Sequence, residues 1–408
     1  MADIKNYMVG EDENTLVQIN TIATSPAYNK SKIRIMPDAH AGKGSCVGFT
    51  ATYTDKICPN TVGVDIGCRV TMFNLKAEGE IDLEKLDRVI HKAVPAGFNI
   101  HNKSVQDEIF GFNYERLRCW KHLKNHDRLK RSMGTLGGGN HYIEVDVDEN
   151  GEYWLSVHCG SRNLGLQVAN YYQEKAIKAQ QKRMDFIEQI GSIMMGSVER
   201  PERQIVVEAG RAAVRFFELD KDLCYLEGRD MEDYLHDMDL CRHWSFNNHL
   251  EIYDLISTGM RWSGSSGKYY CGKFDDYKMI TSIHNYVDTK NKIIRKGAIA
   301  AYKGQECIIP LNMRDGVLIV EALGNEDWNC SLPHGAGRVM SRAEARKTVD
   351  LEEYKNTMNG IYSTCVCEKT LDEAPAVYKD HNAIIEAIKE NANILHHLRP
   401  VYNFKAKD

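Results

Sequence analysis

The sequence predicts an α+β fold, a single large domain of mixed β-sheets with surrounding helices and a central helical insert. Short β-branched and apolar runs alternate with glycine-rich turns in the first third of the chain, and similar runs return after residue 278. Between them, about residues 165–260 are mostly helical in pattern. Candidate site histidines lie on both sides of this helical segment. A shared site therefore requires both ends to fold together, as one domain over residues 1–408.

Each element follows from local periodicity. Strands are predicted where apolar and polar residues alternate or β-branched residues cluster, at 32–54 on both sides of a glycine-rich loop, at 141–161 as a pair joined by a turn near Gly151, and at 278–288, 292–302, 307–313 and 316–323. Helices are predicted where apolar residues recur every three or four positions, at 81–94, 165–195, 206–258 with breaks near Gly228, 341–349, and 381–398.

The composition is that of an ordinary water-soluble globular protein, with 43% hydrophobic and 27% charged residues. A net charge of −5 argues against a general coating of nucleic acid and leaves room for a local basic patch. The first residues carry no apolar signal-peptide core, and no run approaches the roughly 18 apolar residues of a membrane span. The 12 irregularly spaced cysteines indicate reduced thiols. We therefore expect a cytoplasmic protein that does not enter a membrane.

The stretch VGVDIGCRV, residues 62–70, places a carboxylate and a thiol three residues apart in an apolar, glycine-rich turn. Cys68 can be a small core residue, which is the usual role of a free cysteine. Asp65 can cap the turn that Ile66 and Gly67 form. The third interpretation is a metal site, because a buried carboxylate requires a partner.

Four further segments place a polar residue beside a glycine-rich turn: PDAHAGKGS (37–45, with Asp38, His40 and Lys43), GTLGGGNH (134–141), VHCGSRNLG (157–165) and PHGAGR (333–338). Glycines allow close backbone approach and expose N–H groups to anions. Arg162 and Arg338 can donate in pairs to phosphate, although internal salt bridges are the plainer interpretation. A phosphorylated substrate is thus indicated. The Walker pattern GxxxxGK[ST] is absent, and GTLGGGNH is not a dinucleotide-binding fingerprint.

Five residues form a candidate ligand set: Asp65, Cys68, His141, His158 and His284. Each histidine has a plainer interpretation, since His158 and His284 fit half-buried strand positions and His141 fits the exit of a turn. Imidazole with one carboxylate and one thiolate suits Mn, Fe, Co or Zn. A thiolate can bridge two ions, and two-metal sites are well suited to phosphoryl and nucleotidyl transfer.

From about residue 34 to the C-terminus, the chain resembles the RtcB family of RNA-splicing ligases. Nine blocks occur in the family's order: PDAHAGKGS, VGVDIGC, GTLGGGNHYIE, HCGSR, HNYV, RKGA, LGNE, PHGAGRVMSR and VYKD. The resemblance implies an RtcB-like fold and an RNA ligase that depends on GTP and two Mn²⁺ ions. Such an enzyme joins a 3′-phosphate or 2′,3′-cyclic phosphate end to a 5′-hydroxyl end, in RNA splicing or repair.

The resemblance also implies roles for individual residues. The manganese ligands match the five candidates above, and the guanylated histidine matches His334, which on its own sequence context can simply lie near a helix start. Nucleotide-binding positions match Asn140 (triphosphate), Glu144 (guanine edge), Asn312, His334, Gly335, Gly337, Tyr378 and Lys405. Lys407 is the alternative to Lys405 as the lysine that reads guanine.

Two motifs depart from the family pattern. The family's HSGSRG is HCGSRN here, so that Cys159 stands where the family has serine and Asn163 where it has glycine. IPGSMG is IPLNMRDG (309–316), with Asn312 at the position of a nucleotide-binding serine. Because asparagine also forms hydrogen bonds, we expect altered nucleotide contacts and retained GTP binding.

Two rival functions remain open from the sequence. A two-metal phosphodiesterase or phosphatase would open cyclic phosphates without ligation, and would need neither GTP nor a nucleophilic histidine. A non-catalytic RNA- or metal-binding protein would not need such residues in so many segments. The expected partner is RNA with the ends given above, the default state is a monomer, and an activating protein is left open. Residues 121–131 are rich in Lys and Arg, which indicates either a solvated helix face or an RNA track.

Overall fold

The computed structural model describes residues 2–75, 79–104, 112–197, 199, 203–217, 220–262 and 278–407. Its strands, in chain order, are β1 (Asp3–Asn6), β2 (Lys32–His40), β3 (Val47–Thr52), β4 (Lys56–Ile57), β5 (Arg69–Asn74), β6 (Tyr142–Val147), β7 (Tyr153–Cys159), β8 (Leu226–Glu227), β9 (Met279–Ile283), β10 (Asn285–Asp288), β11 (Ile293–Lys296), β12 (Ala298–Ala300), β13 (Glu306–Asn312), β14 (Gly316–Ala322), β15 (Ser331–Pro333) and β16 (Ala392–Lys405). Its helices are α1 (Glu13–Ala23), α2 (Leu83–Ala93), α3 (His126–Lys130), α4 (Arg162–Ser197), α5 (Arg203–Phe217), α6 (Gly228–Met260), α7 (Arg342–Thr348), α8 (Leu351–Thr357) and α9 (His381–Ile388).

Two large sheets organise the molecule. A seven-stranded antiparallel sheet has the order β13-β14-β16-β6-β7-β5-β9, and a five-stranded sheet has the order β1-β2-β3-β11-β10. Strands from the first and last parts of the chain are neighbours in both, as in the pairs β16–β6 and β11–β3. Both ends of the chain therefore build the same sheets, and the predicted α+β fold class is confirmed. The helices α4, α5 and α6 occupy most of the central segment.

The two sheets meet where the candidate ligands lie. Strand β9, at the edge of the seven-stranded sheet, ends at Ile283, and β10 of the five-stranded sheet begins at Asn285. His284 is the single residue between them. Cys68 directly precedes β5, and His158 lies on β7, opposite Val70. The ends of these strands thus bring residues from distant segments to one place.

The core packs mainly between the sheets and the long helices. The largest buried cluster includes Trp244 on α6, whose indole N–H donates to the hydroxyl of Tyr114 at 2.9 Å. Helix α6 also approaches the Asp65–Cys68 turn closely. A Cβ on Gly67, whose φ is +76°, would lie 2.9 Å from the Cα of Arg242. Glycine at position 67 therefore permits both the turn and its contact with α6.

One predicted element is wrong. The helix expected over 381–398 ends at Ile388, and residues 392–405 form β16, a strand in the interior of the seven-stranded sheet. Pairing with β14 and β6 outweighs local helix propensity here. The register shifts between Pro400 and Tyr402, and this bulge accommodates a proline in a paired strand. Within the described part of the chain, no helix is long and apolar enough to cross a membrane.

Candidate active site

Donor atoms of the five predicted ligands converge at the junction of the two sheets. The Sγ of Cys68 lies 3.4 Å from His158 Nε2 and 3.6 Å from His141 Nε2. His158 Nε2 lies 3.4 Å from His284 Nε2. The donors form two groups of three, Cys68–His158–His284 and Asp65–Cys68–His141, and Cys68 belongs to both. A thiolate shared by two groups is in the position to bridge two ions.

The distances between these donors fit metal coordination. Atoms about 2.0–2.3 Å from one tetrahedral ion lie roughly 3.3–3.8 Å from each other, which includes the 3.4 Å separations of the Cys68 group. These polar donor atoms carry unshared electron pairs and lie in a buried place, where a polar atom without a partner is unfavourable. A cation held between them would remove that cost.

His141 gives a second indication of a cation. Its Nδ1 lies 3.1 Å from the carbonyl oxygen of Leu136, which accepts a hydrogen bond from Nδ1–H. In the neutral ring Nε2 is then an acceptor, yet it lies 3.0 Å from Oδ2 of Asp65. Two acceptors at that distance require a positive charge, either a proton or a metal ion. Burial lowers the pKa of His141, but Cys159 and Asp65 outweigh it and raise the pKa to about 9, so a protonated ring satisfies this contact until a metal ion replaces the proton. The carbonyl of Leu136 orients the ring as outer partners of metal ligands commonly do.

The backbone around Asp65 leaves room for its carboxylate. A Cβ on Gly160 would lie 2.0 Å from Asp65 Oδ1, so no other residue fits at position 160 without displacing that group. Asp65 therefore faces β7 and His141, and its carboxylate pairs with the imidazole of His141 rather than only capping its own turn.

Burial also affects the protonation of the candidate ligands His158, His284 and Cys68. Burial and the neighbouring imidazole of His284 lower the pKa of His158 well below its ordinary value, and burial and His334 do the same for His284. Both rings are therefore neutral and can donate an electron pair. Burial and then Asp65 raise the pKa of Cys68 well above its ordinary value. A thiolate at this position would need direct charge compensation, which a metal ion supplies.

His334 lies beside this group and is oriented by a carboxylate. Its Nδ1 is 2.6 Å from Oδ2 of Asp38, which also accepts the backbone N–H of His334 at 3.1 Å. The ring centroid is 4.9 Å from that of His284. With Nδ1–H bound to Asp38, Nε2 carries the free electron pair of the neutral ring. Gly337 permits this approach, since a Cβ there would lie 2.1 Å from the carbonyl oxygen of Asp38.

A cavity of about 290 Å³ connects His334 to the donor group. Both His158 and His284 line it. The other predicted residues in its lining are Asp65, Cys68, Asn140, Glu144, Asn312, Gly335, Gly337, Arg338, Tyr378 and Lys405. His141 and Arg162 are absent from the lining, and both lie behind it, against Gly137. The cavity also has apolar walls from Tyr142, Leu311 and Met313, so one pocket combines candidate metal donors, His334 and apolar surface.

Glu373 organises the far side of this cavity, and sequence reasoning missed it. Its carboxylate contacts Lys405 Nζ at 2.9 Å, the hydroxyl of Tyr378 at 2.7 Å and Arg342 at 2.9 Å. Burial alone would raise the pKa of Glu373, but Lys405 and Arg342 hold it below its ordinary value. Glu373 is therefore an ionised anchor that positions three side chains, two of them predicted. Lys407, the alternative to Lys405, is exposed and absent from the cavity lining.

Glu144 is buried at the base of the cavity on β6. Asn403 Nδ2 donates to its Oε2 at 2.5 Å. Burial raises the pKa of Glu144 to about 7, so the group can hold or release a proton near neutrality. The β-ladder places Glu144 directly opposite Asn403 and Tyr142 opposite Lys405.

Three predicted residues already have internal partners. Asn312 donates to Asp315 at 2.7 Å and accepts the backbone N–H groups of Arg314 and Asp315. Its amide is therefore committed to the turn of the divergent loop. Arg162 donates to Thr135 and to the carbonyl of Gly97.

Arg338 donates to the carbonyl oxygen of Asp372 at 2.7 Å and lies 3.5 Å from Glu373. Both arginines thus have partners within the protein. These partners do not exclude a phosphate, so phosphate contact stays a prediction for both, and Arg338 also lines the cavity.

Asp38 is the second residue whose role the sequence did not reveal. The sequence marks Asp38, His40 and Lys43 as polar residues beside a glycine-rich turn, but nothing in their spacing indicates that Asp38 contacts residue 334. Lys43 is not in the cavity lining, whereas His40 is. Burial lowers the pKa of His40 to about 4, so its ring is neutral.

Comparison with known proteins places the chain in one family. The family model described as tRNA-splicing ligase RtcB matches residues 18–406. The chain is 29% identical over 397 residues to the RNA-splicing ligase RtcB of Escherichia coli strain K12, with 90% of this chain and 88% of the relative covered. It is 28% identical to the tRNA-splicing ligase RtcB of Aeropyrum pernix, over 92% of this chain and 88% of that protein. For the tRNA-splicing ligase RtcB of Archaeoglobus fulgidus the identity is 25%, over 96% and 90%.

Proposed function

Because this chain belongs to the RtcB family, we propose that it is an RNA ligase that uses GTP and divalent metal ions. Its substrates are an RNA 3′-phosphate or 2′,3′-cyclic phosphate end and a 5′-hydroxyl end, and the task is RNA splicing or repair. This proposal is supported by relatives that are named RNA- or tRNA-splicing ligases and that the chain matches over most of their length.

The proposed cofactor is a pair of Mn²⁺ ions. Cys68, His158 and His284 would hold one ion, and Asp65, Cys68 and His141 the other. Imidazole, carboxylate and thiolate donors suit Mn²⁺ among other first-row ions, and family membership favours manganese. When bound, such ions neutralise phosphate charge and polarise phosphoryl oxygens.

The proposed reaction begins at His334. Its Nε2 attacks the α-phosphorus of GTP, a P–N bond forms, the α–β P–O bond breaks, and pyrophosphate leaves. Asp38 holds the Nδ1 proton and stabilises the positive charge that develops on the ring. The RNA 3′-phosphate then attacks the phosphorus of the guanylated histidine and releases neutral His334. The product end is RNA-(3′)pp(5′)G.

In the last step the 5′-hydroxyl oxygen attacks the RNA 3′-phosphorus, and the hydroxyl proton is released to solvent. A 3′–5′ phosphodiester forms, the phosphoanhydride bond breaks and GMP leaves. A 2′,3′-cyclic phosphate must first be hydrolysed to the 3′-phosphate. Arg338, in the cavity lining, is the candidate contact for the RNA phosphate.

The single observation that carries the proposal is the orientation of His334 by Asp38 inside the cavity that the metal donors line. A two-metal phosphodiesterase that uses metal-activated water does not require such a nucleophile. Ligation of a 3′-phosphate RNA to a 5′-hydroxyl RNA should therefore require GTP. Opening of a cyclic phosphate without any joined product, at every GTP concentration, would favour the phosphodiesterase.

Asp38→Asn is expected to slow guanylylation of the protein at least about tenfold. The amide can present N–H to Nδ1 and so favours the tautomer whose Nε2 is protonated and cannot attack. The rate of label transfer from α-labelled GTP measures this, with metal affinity unchanged. Glu149→Gln is the matched control, because Glu149 contacts His396 Nδ1 at the same 2.6 Å on the surface. Equal rates for Asp38→Asn and wild type would contradict the positioning role.

Lys405→Ala is expected to raise the GTP concentration needed for half-maximal guanylylation about tenfold or more, because a buried cation of the nucleotide pocket is lost. Lys407→Ala should behave as wild type. Titration of the guanylylation rate with GTP and with ATP measures both the affinity and the preference for guanine. Thermal unfolding of each variant checks that the loss of the Lys405–Glu373 pair has not unfolded the site. A larger effect at Lys407 would reverse the assignment.

A further inference from the structure

Phe98 is a large aromatic side chain that the fold leaves in solvent. It is 83% exposed, the highest value among the large apolar residues of the described chain. Single exposed apolar residues are common and need no explanation by themselves. The surroundings of Phe98 distinguish it, because its backbone is joined on one side to the candidate active site and on the other to a basic segment.

The connection to the active site runs through Gly97 and Arg162. The N–H of Gly97 donates to the carbonyl of Gly137 at 2.9 Å, and Arg162 donates to the carbonyl of Gly97 at 2.7 Å. A Cβ on Gly137 would touch both Arg162 and the candidate ligand His141. Phe98 therefore follows directly after a residue that is hydrogen-bonded to the glycine loop of the site.

The connection to the basic segment is equally direct. Arg128 donates to the carbonyl of Phe98 at 2.5 Å, and the N–H of His101 donates to the carbonyl of Arg131 at 3.2 Å. Residues 120–131 hold five Lys or Arg and a single acidic residue, Asp127. The side-chain amide of Gln167 on α4 accepts a hydrogen bond from the backbone N–H of Lys124 and donates one to its carbonyl. The first turn of α4 contains Arg162.

Most of these cations have no anionic partner. In the part of the chain that the structure describes, no ion pair is formed by Lys103, Lys121, Lys124, Arg128 or Lys130. Arg131 pairs with Asp127 at 2.8 Å. The segment is also not one solvated helix face, since it consists of a 3-10 turn at Trp120–His122 followed by the short α3. The result is a basic surface that is joined through Arg128 to the backbone of the exposed Phe98, on a protein whose net charge is negative.

We infer that Phe98 and this basic surface form the track for single-stranded RNA next to the reacting end. A base stacks on the ring of Phe98, and the phosphates follow the basic segment. Aromatic stacking beside a line of cations is the general way in which proteins hold single strands without reading their sequence. The inference rests on the proposed function for its choice of RNA, and it extends that function to a surface outside the cavity.

The test compares Phe98→Ala and Phe98→Trp with wild type. Phe186→Ala is the matched control, since Phe186 is also an exposed phenylalanine, 61% accessible, on α4. A 3′-phosphorylated RNA of about ten nucleotides carries 2-aminopurine near its 3′ end. Fluorescence anisotropy gives its affinity, and quenching of 2-aminopurine reports stacking. Phe98→Ala should bind roughly tenfold or more weakly and lose the quenching. Phe98→Trp should retain both, and Phe186→Ala should match wild type.

The basic surface is tested by its salt dependence. The Lys124→Ala/Lys130→Ala variant loses two phosphate contacts. The slope of log affinity against log salt is negative, and in this variant it should be less steep by about 1.4. Lys290→Ala/Lys303→Ala, which removes two exposed lysines elsewhere, should not change the slope.

Guanylylation without RNA is measured in parallel and should be equal in all these variants. If the wild-type protein is not guanylylated, the proposed function is wrong. The RNA affinities then still show whether Phe98 and the basic surface bind single-stranded RNA. Equal RNA affinity and quenching for Phe98→Ala and wild type, or an unchanged salt slope for the double lysine variant, would overturn the inference.

Discussion

The His334→Ala variant is expected to join no RNA ends with GTP, with a rate at least about a thousandfold below wild type. The reason is that Nε2 of His334 is the proposed acceptor of GMP, and alanine offers no nucleophile. Asp38 and the metal donors would remain, so metal affinity should be preserved. Formation of joined product from a 3′-phosphate RNA and a 5′-hydroxyl RNA measures the loss.

A chemically activated RNA sharpens this prediction. RNA that already carries the (3′)pp(5′)G end needs no guanylylated histidine, and His334→Ala should join it to a 5′-hydroxyl RNA. Such rescue separates a missing nucleophile from a collapsed site. Ligation of unactivated ends with GTP by His334→Ala would contradict the role of this residue.

The Cys68→Ala variant is expected to lose metal and ligation together. Because Cys68 is the residue shared by both donor groups, its removal affects both ions, and we expect divalent-metal affinity to fall by at least about a hundredfold. Equilibrium dialysis with Mn²⁺ measures affinity and stoichiometry, with two ions per chain expected for wild type. Circular dichroism confirms that the variant is folded.

Cys307→Ala is the matched control for a buried thiol. Cys307 is also fully buried, and its thiol donates to the carbonyl of Ala300 within a hydrophobic cluster that contains none of the five candidate ligands. The Cys307→Ala variant should bind metal as wild type does, and it should show the same loss of stability that removal of any core cysteine causes. Two Mn²⁺ ions bound with full affinity by Cys68→Ala would exclude the bridging thiolate.

The local parts of the site could be predicted because each comes from a short segment with unusual chemistry. Asp65 and Cys68 in a glycine-rich turn, and His141 after three glycines, pointed to ligands, and the structure brings them together with His158 and His284. Which atoms face each other depends on the junction of the two sheets. That junction rests on pairings between distant strands, which no local pattern encodes.

The misjudged parts have physical causes of the same kind. Residues 392–398 have an apolar pattern that also fits a helix, and only their pairing with β14 decides for a strand. The internal partners of Asn312 were also not predictable, because its hydrogen bonds with Asp315 depend on the local turn; Asn312 lines the cavity, and its contact with nucleotide stays a prediction. The roles of Asp38 and Glu373 depend on contacts with His334 and Lys405, which are distant in sequence.

The most direct test of the account is covalent labelling of His334. Wild-type protein is incubated with Mn²⁺ and α-labelled GTP, denatured and examined for bound label, with His334→Ala and the metal-free protein in parallel. The account predicts label on wild type that is labile in acid and stable in alkali, as a phosphoramidate is, and no label on His334→Ala. Absence of label on metal-loaded wild type, or equal label on His334→Ala, would contradict it.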